Sequence, residues 1–128
     1  MRQILLVEDN ETYRDLVKRL LEQSFAGSVH VLTASNGREA LEIIESLVVD
    51  FVITDYGMPE MDGGQLVEAL AAKNIRPSIP VLVITGGIEP EAGERLKKFG
   101  VLGILEKPVQ GTLLKQWVRR TLELESGS

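Results

Sequence analysis

Two periodicities alternate along the chain. Unbroken apolar runs stand at Ile4-Leu5-Leu6-Val7, Phe51-Val52-Ile53, Val81-Leu82-Val83-Ile84 and, with one glycine inside, over 101–105. A strand that buries both faces has no polar alternate positions, so these runs predict strands inside a covered sheet. Val29–Ala34 mixes His30 and Thr33 among apolar residues, which predicts a strand at a sheet edge. Between the runs the spacing becomes helical. Tyr13, Leu16, Val17, Leu20 and Leu21 recur at i, i+3, i+4, and Ala40, Ile43, Ile44 and Leu47 do the same. Shorter stripes pass through Leu66 and Leu70, through Ala92, Leu96 and Phe99, and through Leu114, Trp117 and Val118.

The borders of these segments carry chemical punctuation. Asn36 with Glu39, and Asp62 with Gln65, have the spacing of an N-cap residue and its reciprocal partner. Pro90 suits a first helical turn, where a missing N–H costs nothing, and Gly27 and Gly100 suit C-terminal stops. The order is strand then helix, five times over, with short connections. Such alternation implies a parallel sheet with right-handed crossovers and helices on both faces. Five units fit a flavodoxin-like doubly wound α/β fold, a five-stranded parallel sheet in the order 2-1-3-4-5 with five helices. No repeat, low-complexity tract or linker interrupts it. Residues 1–124 therefore read as one domain, and 125–128 as a frayed tail or cloning remnant.

Composition narrows the function. Of 128 residues 44% are hydrophobic, enough for a packed core. The net charge of −5 gives no electrostatic support for nucleic-acid binding. Lys115, Arg119 and Arg120 are followed at once by Glu123 and Glu125, the composition of a solvated amphipathic face. With no cysteine, disulfides, thiolate metal sites and cysteine nucleophiles are excluded together. The single histidine, His30, lies in a strand-like stretch and reads as a strand residue with an ordinary hydrogen bond. The first apolar run stops at Glu8, short of a signal peptide, and no run approaches a membrane span. The expected setting is soluble and cytoplasmic.

In open α/β sheets, ligands bind beyond the carboxyl ends of the strands. The first run ends in Glu8-Asp9, the third strand in Asp55, the fourth in Thr85, the fifth in Glu106-Lys107-Pro108. Each has an ordinary reading alone: Glu8, Asp9 and Asn10 as helix caps, Asp55 as a strand end, Thr85 as a β-branched strand residue, Lys107 as a solvated charge. Taken together they would crowd three carboxylates against their mutual repulsion for no purpose. Phosphoryl transfer to a carboxylate needs such a set. Hard oxygen ligands select Mg²⁺, which neutralises the incoming phosphoryl charge; a lysine adds a second positive charge and a threonine hydroxyl a hydrogen bond.

ILLVEDN, VITDYGMPEMDG, VLVITG and LEKP resemble the four landmark segments of the response-regulator receiver family of two-component phosphorelay systems. Their order and spacing match, over a span from Ile4 to about Leu124. The resemblance implies a phosphorylation-controlled signalling switch, not an enzyme acting on a separate substrate. It makes Asp55 the phosphoacceptor. Asp9 and Asp55 would bind Mg²⁺ directly with the backbone carbonyl of Gly57, and Glu8 mostly through water. Lys107 would pair with Asp55 at rest and contact the phosphoryl group afterwards. Thr85 and the backbone N–H of Gly86 would hold phosphoryl oxygens, Met58-Pro59 would shape the neighbouring loop, and Lys107-Pro108 would be a cis peptide. The implied donor is a histidine kinase or histidine phosphotransfer protein, with no membrane or nucleic-acid partner for this domain. The chain would be a stand-alone regulator or a receiver from a longer regulator or hybrid kinase.

Three features depart from the family's pattern. Ile104 replaces an aromatic residue whose rotamer commonly follows the threonine. Val109 stands where phenylalanine is usual after Lys107-Pro108. Gly57 and Gly87, two positions beyond Asp55 and Thr85, place no side chain beside the phosphoryl group. One rival is an aspartate-nucleophile phosphatase of the haloacid-dehalogenase kind, which wants an acid two residues after the nucleophile and meets Gly57 instead. A binding-only pseudo-receiver is the other, disfavoured because no acidic, threonine or lysine position is missing.

Overall fold

A computed structural model describes residues 1–58, 61–73 and 79–124, with Lys73 described by its backbone alone. Pro59 and the 125–128 tail lie outside the described residues. Five strands and five helices alternate: β1 (Arg2–Val7), α1 (Glu11–Ser24), β2 (Val29–Ala34), α2 (Gly37–Ser46), β3 (Phe51–Asp55), α3 (Gly63–Lys73), β4 (Val81–Thr85), α4 (Pro90–Lys98), β5 (Gly103–Glu106) and α5 (Gly111–Thr121). The strands form one parallel sheet in the order β2-β1-β3-β4-β5, the predicted flavodoxin-like winding. No helix among the described residues is long and apolar enough to cross a membrane.

Alternation along each strand sends neighbouring side chains to opposite faces. Ile4, Leu6, Phe51, Ile53, Leu82 and Ile84 pack with Val17 and Leu21 of α1 and Leu114 and Val118 of α5. Leu5, Val7, Val52 and Val83 face the other way, against Ala40, Leu41 and Ile44 of α2, Leu66 and Leu70 of α3, and Leu96 of α4. Every residue of β3 and β4 is buried, as their unbroken apolar runs predict. At about 1.5–3 kcal/mol for each large aliphatic side chain, these two layers are the principal source of stability.

The predicted strand at 101–105 is corrected. β5 begins at Gly103, and Gly103, Ile104 and Leu105 are only half-buried, because β5 is an edge of the sheet. The helical stripes are also narrower than their spacing suggests. Leu16 is 61% exposed, Leu47 46% and Phe99 43%, since only the centre of each stripe meets the sheet. Arg119 departs from the solvated face expected of it, its guanidinium lying 5.7 Å from the centre of the Phe25 ring. Trp117 packs over Gly103, where a Cβ would stand 2.9 Å from the indole. His30 is a strand residue, in β2, with its Nδ1 3.8 Å from Glu22 Oε2.

The caps follow the sequence closely. Asp62 and Gln65 exchange both bonds of a capping box, at 3.0 and 2.8 Å. Asn36 caps α2 by accepting the Glu39 N–H at 2.8 Å, but the Glu39 carboxylate accepts from the Ser35 hydroxyl in place of a reciprocal bond. Gly27 and Gly100 have φ of 82° and 83°, the left-handed conformation that suits glycine after a helix.

Candidate functional site at the carboxyl edge of the sheet

Register decides which strand ends meet. Val7 pairs with Thr54, so Glu8 and Asp55 come next, side by side on adjacent strands. Asp55 pairs with Ile84 and Thr85 with Glu106, which carries Thr85 and Lys107 to the same edge. Backbone bonds continue beyond the strands: Tyr56 N–H donates to Ile84 O at 2.8 Å, and Lys107 N–H to Thr85 O at 2.8 Å.

Glu8 and Asp55 are 2% and 6% exposed, whereas Asp9 is open to solvent. One carboxylate oxygen from each of Glu8, Asp9 and Asp55 lies within 4.8 Å of the others, close enough to share one cation. Lys107 already supplies positive charge there. Its Nζ stands 2.8 Å from Glu8 Oε1 and 3.1 Å from Asp55 Oδ2. Burial pushes the Glu8 carboxyl above its ordinary range; Lys107 and the Asn10 N–H oppose that rise, while Asp55 and Asp9 add to it. Burial alone would lower the Lys107 ammonium, but its bonds to Glu8 and Asp55 and their charges outweigh this and hold it above its usual value.

Local structure fixes these groups. Asn10, and neither acidic neighbour, caps α1: its Oδ1 accepts the Tyr13 N–H at 2.9 Å. The Asn10 N–H in turn donates to Glu8 Oε2 at 3.0 Å, and Arg14 Nη1 donates to the Glu8 carbonyl at 3.0 Å. Thr85 is buried, with its hydroxyl donating to Gly87 O at 2.9 Å and accepting the Gly87 N–H at 3.0 Å. Lys107-Pro108 is cis. Gly57, Gly86 and Gly87 have open space where a Cβ would stand.

Two contributors are not evident from the sequence. Gly63 begins α3 so close behind the site that a Cβ would fall 2.5 Å from the Asp55 carbonyl oxygen. A glycine just inside a capping box is the one available signal. Tyr13 belongs by its spacing to the packing stripe of the first helix, yet its ring lies 5.0 Å from Lys107 Nζ. Nothing in that spacing distinguishes the two roles.

A cluster of hard oxygen ligands, a lysine bridging two of the carboxylates and a buried threonine suit phosphoryl chemistry on a carboxylate. Comparisons with known proteins show the family to which this fold and sequence belong. The family model described as the response regulator receiver domain matches residues 4–119. The chain is 32% identical to the chemotaxis protein CheY of Pseudomonas aeruginosa, covering 97% of this chain and 98% of that one. It is 35% identical to the two-component response regulator ORR1 of Oryza sativa over 84% of this chain, and spans only 49% of that protein. The chain thus covers about half the length of some relatives and nearly all of others. Among solved structures, the receiver domain of a signal transduction histidine kinase from Syntrophus aciditrophicus superposes with a TM-score of 0.83 at 30% identity, covering 100% of this chain and 95% of that one. Vibrio cholerae CheY4 gives 0.84 at 32% identity, with 94% and 98% coverage. With fold, site and sequence in agreement over this span, the chain belongs to the response regulator receiver domain family.

Proposed function

We propose that residues 1–124 form a phosphorelay switch in which Asp55 accepts a phosphoryl group from a histidine kinase or histidine phosphotransfer protein in the cytoplasm. The observation that carries this reading is the buried Asp55 carboxylate, held 3.1 Å from Lys107 Nζ and sharing a cluster with Glu8 and Asp9. A carboxylate oxygen of Asp55 attacks phosphorus, the P–N bond to the donor imidazole breaks, and the ring nitrogen keeps the electron pair. The product is an acyl phosphate on Asp55. The Lys107 ammonium stays charged beside the developing negative charge. Thr85 turns its hydroxyl from the Gly87 carbonyl to a phosphoryl oxygen, and the Gly86 N–H takes another.

The donor set fits Mg²⁺. Asp9, Asp55 and the Gly57 carbonyl would hold it directly. Both Glu8 oxygens are engaged, by Lys107 and by the Asn10 N–H, which suits a contribution through water. The ion supplies charge neutralisation on the transferring group. The chain assists its own phosphorylation and later hydrolysis and turns over no separate substrate. A phosphatase role is disfavoured by Gly57, which offers no general acid. Intact-mass measurement after incubation with acetyl phosphate tests the reading: a single phosphoryl adduct should form with Mg²⁺ and none with chelator. Equal modification in both would remove the metal from the account.

A further inference from the structure

We propose that Tyr13 is a positioning residue for Lys107, its ring face closing the third side of an ammonium whose other two sides are taken by Glu8 and Asp55. This rests on the reading of Asp55 as acceptor. An ammonium has three donor hydrogens. Two are accounted for by the carboxylates at 2.8 and 3.1 Å, and the Tyr13 ring centre lies 5.0 Å from the same nitrogen. That separation is within the reach of a cation–π attraction.

The placement is fixed by a closed circuit of contacts. Glu8 Oε2 accepts the Asn10 N–H at 3.0 Å, Asn10 Oδ1 accepts the Tyr13 N–H at 2.9 Å, Tyr13 faces Lys107, and Lys107 returns to Glu8 Oε1 at 2.8 Å. The start of α1 is therefore tied to the metal-cluster carboxylate at one end and to the lysine at the other. The tyrosine hydroxyl adds little, because the Val109 N–H reaches it only at 3.5 Å. The ring carries the effect. Its attraction is less directional than a hydrogen bond, so the ammonium can shift from Asp55 toward an arriving phosphoryl oxygen without losing that support.

The test compares Tyr13→Leu, which keeps apolar bulk, with Tyr13→Phe, which keeps the ring. Each is made with Lys107 present and in a Lys107→Ala background, and phosphorylation by acetyl phosphate with Mg²⁺ is timed by intact mass. Tyr13→Leu should slow the reaction by about two- to fivefold, the worth of a partly solvated cation–π contact. Tyr13→Phe should restore most of the rate, and Tyr13→Leu should cost nothing further without Lys107. Equal rates for the Leu and Phe variants, or an undiminished loss without Lys107, would overturn the proposal. A second readout is independent of phosphorylation: ring-current shifts of the Lys107 Cε protons by NMR should persist in Tyr13→Phe and vanish in Tyr13→Leu. If the wild-type chain takes no phosphoryl group, the acceptor reading fails, and these shifts alone decide whether Tyr13 positions Lys107; unchanged shifts in Tyr13→Leu would overturn it.

Discussion

At the scale of single residues, the site gathers charge that only a cation relieves well. Lys107 neutralises part of the cluster by bridging Glu8 and Asp55, and Asp9 remains at the solvent edge. If Mg²⁺ binds only the assembled site, as proposed, about ten times its dissociation constant should add roughly 1.4 kcal/mol to stability. For a domain of this size that is on the order of several degrees in Tm. Asp9→Asn should melt higher than wild type in chelator, through reduced repulsion, and lose most of the Mg²⁺-dependent gain. Melting curves of both proteins, each with Mg²⁺ or chelator, read this directly; equal shifts would mean Asp9 is no ligand. The glycines lead to a second expectation. Gly57 and Gly87 have open space at the Cβ position and no left-handed φ, so larger residues fit without strain. Neither glycine orients a hydrolytic water, and the acyl phosphate should be long-lived. Gly57→Asn with Gly87→Glu should accelerate its decay by about tenfold. An unchanged decay rate, tracked by mass, would refute this role for the two positions.

At the scale of elements, α4 is the helix least held by the core. Leu96 is its one buried residue, its N-cap Glu89 makes no side-chain capping bond, and Gly93 weakens its interior. Glu68 of α3 pairs with Arg95 across the intervening groove, but that pair is exposed and contributes little. The loop entering α4 is organised by the Thr85 hydroxyl through both of its bonds to Gly87. If that hydroxyl turns toward a phosphoryl oxygen, as proposed, it would release the Gly87 carbonyl, and the lightly anchored helix would move with it. Ile104, half-buried on β5 with Gly93 beside it, has no hydroxyl or ring to exchange between partners. Switching should therefore run through the loop. Backbone NMR with beryllofluoride should show shift changes across 86–99. Changes confined to the loops that carry Asp9 and Gly57 would contradict this. The central strands and their order are legible in the sequence because β3 and β4 are covered on both sides. The edges are less so: an apolar residue on β5 or near the end of α2 looks the same in sequence whether a neighbour covers it or not. Likewise, helical spacing shows that Tyr13 faces inward but not that a lysine from the far end of the chain meets its ring.

For the whole molecule, the site is a product of topology. Glu8, Asp55, Thr85 and Lys107 are separated along the chain by 46, 29 and 21 intervening positions and meet only because β1, β3, β4 and β5 lie side by side. Their identities are readable as the polar residues that end each apolar run, but the closeness of the groups requires the register. A one-residue slip of β3 against β1 would turn Asp55 to the other face and dissolve the cluster. Most of the sequence serves to hold that register, which accounts for two apolar layers around so few reactive atoms. The central claim is that the fold delivers one particular carboxylate to phosphoryl chemistry. Its most direct test is to phosphorylate wild-type and Asp55→Asn protein with acetyl phosphate and Mg²⁺ and weigh both intact. Wild type should carry a single acid-stable, base-labile adduct and Asp55→Asn none. An undiminished adduct in Asp55→Asn would contradict the account.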